Sequence, residues 1–227
     1  MTGTDLKDAR CKAKWTQAEA ASKLGLTQAY LSMVESGHRP VTSGLAELAL
    51  KILDLPPTTL PLESSSDYMD EKELQADLGT LGYPGFAYLR GKPTHNPAQL
   101  LFSALDQADL DSRLVEALPW LTYTYADMDW NWLVTNAKLR DRQNRLGYVV
   151  TLARKLGKEA TDSAHLEKLV ASQALLERSR LAGEDTLCHD SMPQAERKWL
   201  RSHRPREARH WNLLTDLDVR NLAYASA

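Results

Sequence analysis

The sequence predicts an all-α protein in two parts: a small N-terminal bundle of four or five short helices, and a second all-helical domain. Three observations predict it. Apolar residues recur at helical rather than alternating spacing along most of the 227 residues. Helix-start signals precede those runs, as at Thr16 with Glu19, at Thr27, and at Asn96-Pro97. The composition then breaks after residue 57, where prolines, a serine run and an acidic cluster follow one another and read as a linker leading into a short helix. The expected division is therefore a first domain over 1–57, a linker over 58–77, and a helical partner-binding domain over 78–227.

Residues 16–40, TQAEAASKLGLTQAYLSMVESGHRP, read as a helix-turn-helix. Thr16 is a good N-cap, and Glu19 three residues on completes a capping box. Ala20, Ala21 and Leu24 share one helical face, and the small Ala21 suits a close helix crossing. Gly25 stands where the first helix must stop and the chain turn sharply, a place for a residue that tolerates positive φ. Leu26 plugs the angle between the helices. Thr27 caps the second helix, whose inward residues are Leu31 and Val34. This geometry sets a recognition helix into the DNA major groove.

With Leu31 and Val34 turned inward, Gln28, Ala29, Tyr30, Ser32 and Met33 are the candidates for the outer surface, with Thr27 at its start and Met33 either groove-facing or partly buried. A glutamine amide can pair bidentately with adenine, and an alanine methyl can meet a thymine methyl. Tyr30 can reach a phosphate or a base edge. Lys14, His38 and Arg39 flank the motif and can supply phosphate contacts.

The stretch from about 4 to 56 resembles the lambda-repressor/Cro (Xre) family of bacterial and phage DNA-binding domains. The resemblance rests on TQAE at 16–19, Leu24-Gly25, SMVESG at 32–37, Arg39-Pro40 and the closing Leu53-Asp54-Leu55-Pro56. It implies a lambda-repressor-like bundle with a first helix near Leu6–Lys14 and a later one near Ser43–Leu53. It also implies that Gln17 holds backbone phosphate. Glu35 is then structural rather than a base reader, with Arg10 as its available partner.

In the second part, LGTLGYPGFAYLR at 78–90 is too apolar for a free linker and reads as a structured loop or short extended piece. A helix then starts at Asn96-Pro97, proline being favoured at the first helical position. Another opens at Leu110-Asp111, and Pro119 is expected to disrupt or redirect it. Further helices are expected from Asp129, over Arg142–Leu156, over Ala164–Ala182, and from Ser191 to about Ser202. Short connections between them suggest helices packed pairwise, with no repeating sequence period.

The net charge of −2 excludes a globally basic nucleic-acid coat. Residues 1–57 hold seven Lys/Arg and six Asp/Glu, a net of +1, so DNA binding there depends on local placement and on a homodimer spanning two half-sites. Cys11 and Cys188 are the only cysteines. They have no metal-ligand companions, and free cytoplasmic thiols are the reading preferred over a disulfide. Neither a signal peptide nor a membrane span is evident, so a cytoplasmic place is expected.

No HExxH, P-loop, GxSxG or CxxC motif occurs, and neither an enzyme nor a cofactor is expected. Asp127, Asp129, Asp141, Glu184 and Asp185 read better as helix caps and solvated charges than as paired catalytic carboxylates. Cys188, His189 and Asp190 are sequence neighbours, which rarely point at one another as nucleophile and base must. Two features look like binding instead. Trp120, Tyr123, Tyr125, Trp130 and Trp132 crowd into 13 residues, either as core or as interface anchors. The run RKWLRSHRPREARHWNLL at 197–214 carries Arg201, Arg204 and Arg209 among six basic residues, against the single acid Glu207. Such a stripe is either a solvated helix face or a surface for phosphate or an acidic protein.

Residues 81–224 also resemble the C-terminal part of helix-turn-helix proteins encoded beside bacterial nucleotidyltransferase-type toxins. The runs that carry this are LGYPGFAYLR (81–90), LPWLTYTYADMDWNWLV (118–134), AKLRDRQNRLGYVVTLAR (137–154), LERSRLAGEDTLC (176–188) and ARHWNLLTDL (208–217). The resemblance implies an antitoxin that represses its own operon and binds the toxin encoded with it. The partners expected are therefore a double-stranded DNA operator and a toxin protein. The alternative is a regulator whose helical domain senses a small ligand, with the aromatics around 120–132 lining its pocket.

Overall fold

Short polar side chains set where the helices begin. A computed structural model describes residues 1–62, 69–89, 91, 93–157 and 163–222, and all that follows concerns those. Thr2 and Asp5 form a capping box that starts α1 (Gly3–Lys12), three residues earlier than the apolar pattern suggested. Thr16 and Glu19 do the same for α2 (Gln17–Lys23), Thr27 caps α3 (Gln28–Glu35) and Thr42 caps α4 (Ser43–Leu53). Gly25 takes φ +65° between α2 and α3, the left-handed turn expected of it. The chain leaves α4 through Asp54, also left-handed, into a single 3-10 turn at Pro57–Thr59.

These four helices bury one core of Leu6, Ala20, Ala21, Leu24, Leu31, Val34, Leu45, Ala49 and Leu53. Leu26 and Tyr30 pack at its edge. The compact unit comprises Met1–Ser64 together with Pro93–Asn96. Asn96 belongs to it because its amide donates to the carbonyls of Thr58 and Leu60, at 2.9 and 2.8 Å.

The second unit comprises Ser65–Lys92 and Pro97–Ala227. Its first element is the short helix into which the proline- and serine-rich stretch leads. Asp70 and Glu73 form a third capping box, and α5 (Glu71–Thr80) buries Leu74, Asp77 and Leu78. Leu60 and Met69 are buried as well. Residues 63–68 lie outside those described. A 3-10 turn at Pro84–Phe86 follows, with Tyr83 and Phe86 buried.

Then come α6 (Pro97–Asp106), α7 (Ser112–Thr124), α8 (Trp130–Leu139), α9 (Gln143–Gly157) and α10 (Ser163–Glu177). Pro119 does not break α7, which runs on through it. An interior proline costs about 3 kcal/mol in a helix, and here Leu118, Leu121 and Thr122 are all fully buried on that same turn. α10 stops five residues before the expected Ala182 because Asn144 captures the next stretch. Its side chain donates to Leu181 O at 3.0 Å and accepts from Leu181 N at 2.9 Å.

The C-terminal segment holds β1 (Asp185–Thr186), α11 (Gln194–His203), α12 (Arg206–His210) and β2 (Leu213–Leu214). β1 and β2 pair in parallel, Asp185 with Leu213 and Thr186 with Leu214. They are two residues each, so the protein is all-α in class as expected, with one minimal sheet.

α9 is the axis of this unit. Residues 143–150 are all buried, polar ones included. Arg145 is fully buried yet fully engaged. Its guanidinium meets Asp185 at 2.8 and 2.9 Å, Asp190 at 2.9 Å, and the carbonyls of Leu105 and Gln107 at 3.2 and 2.7 Å. Burial alone would lower its pKa; the bond to Asp185 and the neighbouring acids outweigh that and hold it raised. Tyr148 OH donates to Leu217 O. Gly147 leaves room for the Trp211 ring, which a Cβ there would run into, and the indole N–H donates to Thr151 Oγ1 at 2.9 Å.

Candidate nucleic-acid interface

The N-terminal half of α3 presents Gln28, Ala29 and Ser32 to solvent, because Leu31 and Val34 fix the opposite face in the core. Thr27 is exposed, and its hydroxyl accepts from Tyr30 N at 3.2 Å, so its side chain organises the helix start. Tyr30 is half-buried, and Met33 is 39% exposed. Methionine 33 thus faces outward rather than into the bundle.

What holds this face in place is a buried carboxylate. Glu35 ends α3, and Arg10 of α1 grips it with two bonds of 2.6 and 3.0 Å. Gln17, the first residue of α2, donates its amide to the same carboxylate at 2.9 Å. Arg10 also donates to Trp15 O at 2.9 Å. One acid therefore ties α1, α2 and α3 together. Burial alone would raise the pKa of Glu35; the bonds from Arg10 and Gln17 reverse this and hold it below the usual carboxylate range. Glu35 and Arg10 pair as expected. The bond from Gln17 was not anticipated, since nothing local links residues 18 apart.

The turn after α3 positions His38 and Arg39. His38 N and Arg39 N both donate to Met33 O, at 2.9 and 3.1 Å. Ser36 Oγ donates to Ser32 O at 2.8 Å and meets His38 Nδ1 at 2.7 Å. His38 and Arg39 are exposed, and Lys14, exposed too, takes φ +58° between α1 and α2.

The aromatic residues singled out in the second unit are engaged within it. Trp120 packs between Tyr83 at 5.3 Å and Tyr125 at 6.4 Å, and Tyr125 OH donates to Leu81 O at 2.8 Å. Tyr123 meets His165 edge-on at 5.9 Å. Trp130 donates to Ala126 O at 2.9 Å, and Trp132 packs on Phe102 at 5.8 Å. All four of Trp120, Tyr123, Trp130 and Trp132 are half-buried. None of them lines the cavity bounded by the start of α7, α11 and the chain beyond β2.

The basic run is likewise less free than its sequence suggested. Arg201 is bidentate on Glu184, with its shortest bond 2.8 Å. Arg204 donates to Leu213 O at 2.9 Å with its side chain only 12% exposed. Arg197 donates to the carbonyls of Met192 and Asp190. Lys198, Arg206 and Arg209 remain at the surface, as does Trp199, 51% exposed and stacked on His203 at 4.4 Å. The Cys188 thiol donates to Ala104 O at 3.4 Å, and burial pushes its pKa up to about 11. Both cysteines are free.

No described helix is long and apolar enough to cross a membrane. No curated protein and no solved structure matches the chain. Residues 6–60 match the model of the helix-turn-helix family. With that match laid over the exposed α3 face and its Glu35 clamp, the N-terminal unit is a helix-turn-helix DNA-binding domain of the Xre type, and the chain is a DNA-binding transcriptional regulator.

Proposed function

We propose that the chain is a sequence-specific repressor that binds a partly palindromic operator as a homodimer. The observation that carries this is the outward face of α3, Gln28, Ala29 and Ser32, fixed at a set angle by the Arg10–Glu35–Gln17 clamp. A recognition helix reads bases only if its pose is rigid, because bidentate pairing tolerates little misplacement. Gln28, Ala29 and Ser32 are the base readers, with Tyr30 and Met33 beside them. His38 and Arg39 hold phosphates, Gln17 does so through the amide N–H that it does not give to Glu35, and Thr27 acts by setting the helix start.

We further propose that the repressor is the antitoxin of a bacterial toxin–antitoxin pair, repressing its own operon and binding the toxin through the second unit. The sequence resemblance of residues 81–224 supports this reading. The surface best suited to the task is the exposed stretch of α11 at Lys198 and Trp199, since an exposed tryptophan in a basic stretch is typical of interface anchors. The chain acts here by binding rather than by catalysis. The buried, protonated Cys188 thiol supports that view.

The test joins co-purification with the neighbouring gene product to a promoter-binding assay. Trp199→Ala with Lys198→Glu is expected to lose the toxin and keep the promoter. Loss of the promoter with the toxin retained overturns the antitoxin reading.

A further inference from the structure

A cavity of about 310 Å³ lies wholly within the second unit. The start of α7, the loop after β1, α11 and the chain beyond β2 form its walls. Its floor is apolar, made of the buried Val115, Leu187, Met192, Leu200 and Leu214. The lining also holds the carboxylates of Glu116, Glu196 and Asp216 and the imidazole of His189, with neither lysine nor arginine among them.

These three acids stand apart from their neighbours. In the same C-terminal region Glu184, Asp185, Asp190, Glu207 and Asp218 each hold an arginine or lysine. Among the described residues, Glu116, Glu196 and Asp216 form no ion pair. Ion pairs thus hold the acids around the cavity, whereas those on its wall have none, Asp216 being shared with a neighbouring groove that also carries Lys155, Arg206 and Arg220.

We propose that this cavity binds a small organic cation, a primary ammonium carried on an apolar body. The volume falls at the lower end of small-ligand sites, about 300–1,000 Å³. The leucine-rich floor would take the apolar body, and the carboxylates would accept charge-assisted bonds from the ammonium. An anion would meet repulsion from all three acids. A quaternary ammonium would find no Phe, Tyr or Trp face among the lining residues. A ligand seated there touches both α7 and the segment from Leu187 to Leu217, so binding stabilises the docking of that segment.

The test is calorimetric titration of the full-length chain at low ionic strength with 4-phenylbutylamine, 4-phenylbutanol and 4-phenylbutyrate. The amine is expected to bind one to one, at least about ten-fold more tightly than the alcohol, with the carboxylate weakest. Glu196→Gln with Asp216→Asn, both exposed positions, should weaken the amine by about ten-fold and leave thermal stability unchanged. Glu47→Gln with Glu167→Gln removes the same charge from exposed positions elsewhere and should leave amine binding intact. Three outcomes each overturn the proposal: no amine binding at millimolar concentration, equal binding of amine and alcohol, or equal weakening by both variant pairs. Tighter capture of a lysine-bearing peptide than of the amine would also overturn it, by making the cavity a protein-docking site.

Discussion

Arg10→Met should separate what the Glu35 clamp does from what the core does. In the folded chain Glu35 keeps 3% of its side chain exposed and Arg10 keeps 12%. Removing the guanidinium strands a buried carboxylate with Gln17 as its remaining side-chain donor. Breaking a buried pair from one side costs about 3–5 kcal/mol. Arg10 lies near the rim and Gln17 keeps its bond, so about 2–4 kcal/mol is expected here. For a unit this small that is roughly 10–25 °C in melting temperature. Removing both charges with Arg10→Met and Glu35→Leu should restore most of the loss, because no unpaired charge then stays buried. The assay is hydrogen exchange of the α1–α3 amides in the full chain, which reads this unit alone. The pH dependence follows from the depressed pKa of Glu35. A carboxylate held below its unfolded pKa stabilises above that value, about 4.3, and the contribution disappears as pH falls through the folded pKa. The Arg10→Met penalty should therefore shrink below about pH 4. If the single and double variants lose equal protection, Glu35 is not held as a buried anion and the clamp argument fails.

Three further outcomes are expected. Gln28→Ala should cost about 1–3 kcal/mol at one base pair and relax selection there, whereas Arg39→Ala should weaken all sequences alike and reduce the salt slope by about one; a selection experiment at two salt concentrations distinguishes them. Gly147→Ala should drive a methyl into the Trp211 ring and destabilise the second unit by about 1–3 kcal/mol, read by near-ultraviolet dichroism and denaturant melts. Asp185 is held below the usual carboxylate range by Arg145 despite burial, which alone would raise it, so this pair stabilises above the unfolded pKa and ceases to as pH falls through the folded one. Exchange protection over 185–190 should drop between pH 7 and pH 3, and Arg145→Met should remove most of that pH response.

The first unit was legible because its determinants are local. Thr16 with Glu19, Gly25 and Thr27 act over three or four residues, and each does in the structure what its chemistry suggests. Leu31 and Val34 then decide by periodicity alone which side of α3 faces out. The Arg10–Glu35 pair needed the family resemblance, and Gln17 on the same carboxylate needed coordinates. The helices of the second unit were legible for the same local reason, and their ends were not. Pro119 stays inside α7 because buried neighbours on its turn offset the missing bond, and α10 ends where Asn144 takes hold of Leu181.

The basic run at 197–214 shows why charge counted along a chain misjudges a surface. The counter-charges lie elsewhere in sequence: Glu184 for Arg201 and Arg204, and carbonyls for Arg197. Those three arginines fasten the C-terminal segment to itself. The cavity shows the opposite error, since Glu116, Glu196 and Asp216 carry no sequence signal at all. They become distinctive only once α7, α11 and the chain past β2 converge over a leucine floor. A charge that is paired cannot attract a partner strongly, and one left unpaired beside buried apolar surface can. By that criterion Arg201 and Arg204 are poor places to seek a partner. Reversing Arg204, whose side chain donates to Leu213 O beside Glu184, would bring two acids together and disturb β2 before any interface was tested.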